Sequence, residues 1–289
     1  MKLMTKFNLI LLLLFGAGGT LISQIAYSFL IENARREVTQ EAELMMASAK
    51  AVRDYTADDL APLLEQNPQH KSRFLPETVP FFGATNTFKR LREKYPDYTY
   101  REATLNPTNP QDRATDWEAD IIAYLQDHSA EKELPGERET PTGTVLYIAT
   151  PITVEAPCLE CHSRPAAAPE AMIATYGSTN GFGWKAGSVV GAQVVSVPMS
   201  LPVSIAKKAF RLLLIYLGIG LIATIAALDA GVYFIVIRPL QLVSDAADRA
   251  SKGEAAAPLP VHGKDEIAAM TASFNRMQVS LAKALKLLT

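Results

Sequence analysis

The sequence is poor in the residues that build most metal and thiol sites. Its 289 residues include two cysteines and four histidines, and no basic block stands out against a net charge of −2. Without such a block there is no footprint for a nucleic-acid partner. His70, His128 and His262 are scattered and form no pair with zinc-finger spacing, so a structural zinc ion would lack two of its ligands. The glycines of Gly177-Ser178-Thr179-Asn180-Gly181-Phe182-Gly183-Trp184 are too irregular for a nucleotide loop. They read instead as a tight turn or as the lining of a flat apolar group. No set of catalytic side chains converges anywhere, so the expectation is that the protein is not an enzyme.

What the chain does have is concentrated in Cys158-Leu159-Glu160-Cys161-His162. Two cysteines separated by two residues, with histidine directly after, is the attachment pattern for c-type haem. Two thiols reach the two vinyl groups of one porphyrin edge, and the adjacent imidazole reaches the iron from one face. Both cysteines of the chain lie in this run, so no other thiol competes. A thioredoxin-like redox pair would leave His162 unexplained and lacks the usual Trp-Cys-Gly-Pro flank. A lone disulfide in an oxidising compartment stays open. The reading is one covalent haem c, with thioethers from Cys158 and Cys161 and with His162 as an axial iron ligand.

Mean hydropathy is slightly positive, high for a soluble protein. Two apolar stretches account for it, at about residues 7–31 and 212–237. Each is long enough to cross a hydrocarbon layer of ~30 Å, which needs about 20 helical residues. A cleavable signal peptide competes for the first stretch, because Gly16-Ala17-Gly18-Gly19 supplies small residues after a short apolar core. The apolar run continues past them, which favours an uncleaved anchor. Lys2 and Lys6 place the N-terminus inside. Lys207, Lys208 and Arg211 flank the second stretch and leave the positive-inside rule nearly silent there, so its orientation follows from parity. Both termini are then cytoplasmic in a two-pass protein of the inner membrane, and the part between lies in the periplasm, where bacterial c-type haem is attached. Asp229 sits inside the second stretch and reads as structural, since one isolated acid makes no relay.

The exported part opens on a long helix from residue 32 to about 64. Val38, Ala42, Met45, Ala49 and Val52 form one apolar stripe on it, with Met46 beside the stripe. Asn67-Pro68 ends this helix. Further helices are expected over 85–94 and 115–128, strands over 98–103, 145–149 and 189–197, and a turn over 105–110. Strands interleaved with helices in a domain of this size make an α+β fold, a small antiparallel sheet with flanking helices.

Three separated runs carry a resemblance: Ala51-Val52-Arg53-Asp54-Tyr55-Thr56, Arg101-Glu102-Ala103-Thr104-Leu105-Asn106-Pro107-Thr108-Asn109, and residues 158–198. With them, most of residues 32–200 resembles the c-type-haem-binding, PAS-like sensor domain of cyanobacterial and proteobacterial membrane receptors. The resemblance implies a central antiparallel sheet, covalent haem on Cys158 and Cys161, His162 as axial ligand, and redox or gas sensing. Some members use a thiolate on the second face of the iron. With no third cysteine here, a methionine thioether is the nearest sulfur substitute. Met46 is favoured for that role, since it precedes the 51–56 run by about one turn on the helix leaving the first membrane stretch. Met45, Met172 and His128 are the alternatives.

Residues after the second membrane stretch resemble the HAMP signal-relay module. Pro239 follows the membrane helix, Leu242, Ala246 and Gly253 mark a first helix, Leu259 and Val261 a connector, and Asp265-Glu266 opens a second helix. Ile267, Phe274, Leu281 and Leu288 recur every seven residues, with Met270, Met277 and Ala284 three residues later, as in a coiled-coil seam. An amphipathic helix lying on the membrane is the competing reading. Two helices per chain do not close a four-helix bundle, so the module implies a homodimer. The chain ends at Thr289, where this bundle ends, and a separate cytoplasmic kinase or cyclase is expected to read it.

The segments are therefore 1–31, an N-terminal transmembrane helix; 32–206, a periplasmic haem domain; 207–237, a second transmembrane helix; and 238–289, a cytoplasmic HAMP-like domain. The expected function is sensing of redox state or of a small gas ligand at the haem. A membrane-anchored electron-transfer cytochrome with a redox partner is the rival, although an electron carrier needs neither a relay module nor a second membrane helix. A receptor for a small organic ligand, with haem as a structural part, is a further alternative.

Overall fold

The computed structural model describes residues 3–67, 73–254 and 257–288. Lys2, Pro68, His70, and the side chains of Ala284 and Leu288 lie outside the described residues. The chain forms two compact units, Tyr27–Phe210 and a second one made of residues up to 26 together with those from 211 onward.

A single helix of 53 residues, α1 (Leu3–Tyr55), opens the chain. It widens into one π turn, Thr56–Leu60, before the short α2 (Ala61–Glu65). The cause is Pro62. Its ring crowds the preceding turn and it has no N–H to give, so the N–H of Ala61 bonds back to Thr56 in an i→i+5 step. Helix α3 (Pro80–Lys94) starts earlier than expected, because a proline in the first turn is already set for helical φ. Strand β1 (Thr99–Thr104) follows, then α4 (Asp116–Asp127). A capping box opens α4: the N–H and the hydroxyl of Thr115 both donate to Glu118 Oε2, at 2.8 and 2.7 Å. The unit continues with β2 (Leu134–Thr140), β3 (Gly143–Thr153), α5 (Cys158–His162), α6 (Glu170–Tyr176) and β4 (Val189–Pro198).

The four strands form one antiparallel sheet in the order β1-β4-β3-β2. Period-two alternation sends its side chains to two separate cores. On one face Tyr100, Leu146, Ile148, Val195 and Val197 pack with Val38, Ala42 and Ala49 of α1 and with Phe88 of α3. On the other, Ala103, Ala149, Ala192 and Val194 pack with Ile121, Ile122 and Leu125 of α4. The expected stripe on α1 is the covering stripe: Val38, Ala42 and Ala49 are fully buried, while Met45, Met46 and Val52 pack at its margin. The fold is thus the expected mixture of helices with an antiparallel sheet.

Strand β2 had no counterpart in the sequence expectations. Leu134-Pro135-Gly136-Glu137-Arg138-Glu139-Thr140 alternates weakly and contains residues that usually mark turns. At the sheet edge those residues are tolerated, and the charges guard the edge from further pairing. Gly136 stands opposite Tyr147, and a Cβ there would sit 2.4 Å from the tyrosine ring, so a larger residue would have to displace that ring.

Strand β4 passes into α7 (Ser200–Val232), which ends in a second π turn, Tyr233–Ile237, followed by α8 (Arg238–Ser251) and α9 (Glu266–Leu288). Pro239 causes this turn as Pro62 causes the first, with the N–H of Arg238 bonding to Tyr233. The apolar stretches of α1 and α7 are not buried within the protein. Both helices are long and apolar enough to cross a membrane, which fits a two-pass membrane protein. Asp229 has a partner: the side-chain amide of Asn8 donates to its Oδ2 at 3.0 Å. Asp265 Oδ1 caps α9 by accepting from the N–H of Ala268 at 2.9 Å. The side chain of Asn275 holds the connector by bonding both backbone groups of Leu259, at 2.9 and 2.8 Å. The seven-residue seam of α9 divides. Phe274 is buried within its own chain and Ile267 half-buried, whereas Met270, Met277 and Leu281 remain exposed.

Ile122 has no exposed surface. Replacing it by alanine should lower the stability of the sheet unit by about 2–5 kcal/mol, read from urea titrations followed by tryptophan fluorescence. Leu44→Ala, at a site 69% exposed on α1, should change it by no more than about 0.5 kcal/mol in the same assay.

Candidate functional site

Helix α5 is one turn long and holds the whole of Cys158-Leu159-Glu160-Cys161-His162. Residues three apart on a helix share a face, so Cys158 and Cys161 present their thiols side by side. Both are free and half-buried. Burial, then the charges of Glu160 and Glu65, push the Cys161 thiol up from its ordinary value. A redox-active pair has the opposite shift, toward thiolate.

His162 is clamped from three directions. Its Nδ1 lies 2.7 Å from the carbonyl oxygen of Gly181 and 3.5 Å from the hydroxyl of Thr108, and its ring stacks on Trp184 with centroids 4.0 Å apart. A carbonyl only accepts, so Nδ1 carries the ring proton and Nε2 keeps its lone pair. Burial pushes the imidazole pKa down against the opposing pull of the Gly181 carbonyl, which favours the neutral form. A neutral imidazole with Nδ1 tied to a backbone carbonyl is the form that ligates metals through Nε2.

The loop after α6 builds this clamp. The N–H groups of Gly183 and Trp184 donate to the carbonyls of Ser163 and His162, at 3.1 and 3.2 Å, folding the loop back over α5. Gly181 has φ +81, and a Cβ there would meet the Thr108 hydroxyl at 2.0 Å. Only glycine combines that conformation with that approach. The expected tight turn is therefore present, with Trp184 as cover for the histidine. Thr108 and the Gly181 carbonyl are the site residues that sequence reading missed. The proline-punctuated turn after β1 was visible, but nothing in it marked the hydroxyl that reaches α5.

The remaining expected ligands lie elsewhere. Met46 is half-buried on α1, where its sulfur accepts from the hydroxyl of Thr150 at 3.7 Å. No described contact joins it to His162. Met172 is buried in α6. His128 is exposed at the end of α4, stacked on Tyr124 at 4.2 Å. Pro239 and the Asp265-Glu266 pair occupy the π-turn junction and the start of α9.

Thr150 belongs to a polar row across the sheet. Glu102 of β1 stands opposite Gln193 of β4, which stands opposite Thr150 of β3. Glu102 is 3% exposed and ion-paired with Arg53 of α1, and it accepts from the Tyr100 hydroxyl at 2.5 Å. Burial first, then the Glu102 charge, pushes the Tyr100 phenol far up.

The donor set of α5 suits a c-type haem: two free thiols on one helical face, and a neutral, oriented imidazole one residue on. Residues 31–198, more than half of the chain, match the Tll0287-like family. The chain belongs to that family. Residues 234–283 of this Tll0287-like protein match the HAMP domain. Over 91 residues the chain is 32% identical to the signal transduction histidine-protein kinase/phosphatase MprB of Mycolicibacterium smegmatis. That alignment covers 32% of this chain and 18% of the kinase, so the chain spans less than a fifth of that relative. The crystal structure of the cyanobacterial haem protein Tll0287 aligns at 15% identity with a TM-score of 0.44, over 56% of this chain and 95% of that one.

Asp112 ends the turn that carries Thr108. Burial raises its carboxyl to about 6, with Arg101 opposing the shift and Glu102 adding to it. A folded-state pKa above the unfolded value makes stability fall as pH rises from about 4 to about 6. Asp112→Asn should therefore match the natural chain below about pH 4 and exceed it in stability above about pH 6, measured as urea midpoints across that range.

Proposed function

We propose that this Tll0287-like chain is a membrane-spanning haem receptor that reports redox state or a small gas to a cytoplasmic signalling protein. The observation that carries the reading is the clamp on His162, with Nδ1 on the Gly181 carbonyl, on the same short helix as two free thiols. Cys158 and Cys161 would hold a haem through thioethers, and Nε2 of His162 and the thioether of Met46, on the sheet-facing side of α1, would ligate its iron. When bound, haem supplies an iron that changes oxidation state or takes up a diatomic ligand. Gly181, Thr108 and Trp184 keep the imidazole oriented and neutral while this happens. Among the described residues, the polar groups around His162 are engaged in holding it, which supports a receptor role.

The route out of the domain is covalent at both ends. The helix bearing Met46 is continuous with the first apolar span, and β4 runs directly into α7 and on through the Pro239 turn to the HAMP helices, which Asp265 and Glu266 reopen as α9. The signal is a change in the packing of those helices, bounded by the free-energy difference that the iron state imposes between two packings. Two copies pair through α9, and the similarity to MprB supports a kinase-type reader. Residues 32–206 lie in the periplasm, with both termini cytoplasmic.

Covalent attachment is tested by peroxidase-active staining on a denaturing gel. The natural chain should stain near its own mass and the Cys158→Ala/Cys161→Ala variant should not; haem running at the dye front would sink the attachment. Met46→Ala should keep the stain but lower the reduction potential, as expected on losing a thioether ligand.

Pairing through α9 is a separate matter. In a background without other cysteines, single cysteines at Met270, Met277 and Leu281 should cross-link copies efficiently, while one at the exposed Arg276 should not. Uniform cross-linking along α9 would remove the paired bundle.

A further inference from the structure

Between Glu170 and Asp229 the sequence contains no acidic residue, yet Lys207, Lys208 and Arg211 stand together where α7 enters its apolar stretch. All three are exposed, and none makes an ion pair or hydrogen bond to another described residue. At about 100° per residue they share one side of the helix. That side is turned away from the buried Ala206 and from Phe210, whose ring meets Tyr27 edge-on at 5.1 Å. The same side continues along α7 as Leu214, Ile215, Gly218 and Ile222. Leu214, Ile215 and Ile222 are 42, 50 and 71% exposed. Gly218 leaves open space where a side chain would stand, a notch in the strip.

Cations above a notched apolar strip repeat the order of a phospholipid, phosphate above acyl chain. We propose that Lys207, Lys208 and Arg211 bind the phosphate headgroup of an anionic phospholipid whose acyl chain lies along Leu214, Gly218 and Ile222. The proposal rests on α7 crossing a membrane and is independent of the haem. A second copy of this chain is a poor occupant, because a two-fold contact would set the three cations against themselves. A soluble anion would use the cations and leave the apolar strip without a role. A bound headgroup also accounts for three cations on a flank where the positive-inside rule expects few.

The test uses the full chain in lipid nanodiscs of phosphatidylcholine mixed with phosphatidylglycerol, with retained lipid counted by native mass spectrometry. The natural chain should retain phosphatidylglycerol over phosphatidylcholine. Lys207→Gln, Lys208→Gln and Arg211→Gln should each weaken retention about fivefold, the value of roughly one cation at a membrane surface. The charge-keeping Lys207→Arg/Lys208→Arg variant should retain the lipid, as should Lys89→Gln/Arg90→Gln/Arg92→Gln, which removes three cations from α3. Equal retention by the natural chain and the three glutamine variants would overturn the site. Equal loss in the α3 variant would reduce it to general charge. Displacement by inorganic phosphate would assign the cations to a soluble anion, and amine cross-linking of Lys207 between copies would assign the face to a second chain. Haem staining of the same preparations reads the receptor proposal separately.

Discussion

Two carboxylates, Glu102 and Glu118, are sealed inside the sheet unit at 3% and 1% exposure, and each is held by an arginine. A buried carboxylate without a partner costs several kcal/mol, so neither helix that covers the sheet can shift without exposing that cost. Arg53 comes from α1 and reaches Glu102 on β1. Arg101 comes from β1 and reaches Glu118 on α4 at 2.8 Å, an ionic contact rather than a well-directed hydrogen bond. Strand β1 pairs in the sheet with β4, sends Tyr100 and Ala103 into the two cores, and is tied to a helix on each face by one of these ion pairs. Its position fixes where the following turn projects, and through Thr108 that turn touches His162. The turn that reaches the histidine thus leaves a strand anchored by one ion pair on each face.

Much of this architecture was legible in the residues. The stripe Val38-Ala42-Ala49 announced a covered helix because small apolar residues at helical spacing have few other uses. The strands at 99–104 and 189–198 were visible through their β-branched and aromatic content. Strand β2 was not, because edge pairing tolerates proline, glycine and charge and leaves no alternation to detect. Glu102 was legible only as part of a run of familiar residues. That it points inward follows from strand register, which depends on partners far away in sequence. The cysteines and histidine of α5 were plain from spacing, whereas the carbonyl that orients His162 was invisible, since a backbone group has no letter of its own. The split seam of α9 had a similar cause. Heptad spacing marks residues that seek cover without saying whether the same chain provides it.

The site combines a rigid clamp with a sparse donor set. One short helix presents both thiols and the imidazole, and one glycine-rich loop holds the imidazole from behind. The match to the Tll0287-like family extends over all four strands of the sheet, and the HAMP match begins within the π turn that leaves α7. The boundary between the two matches therefore contains little beyond the apolar helix itself.

That π turn sets a phase. An i→i+5 turn holds one residue more than an α turn, so α8 is rotated by roughly 100° from where an unbroken helix would put it. The side of α8 that buries Ala246 is thus not the one obtained by counting helical turns back to Asp229. A chimera that joined residues from Leu240 onward to a straight, proline-free membrane helix would present the relay helices out of step. Deleting one residue at the junction would bring them back, whereas a donor helix with its own proline-relieved turn would need no such correction.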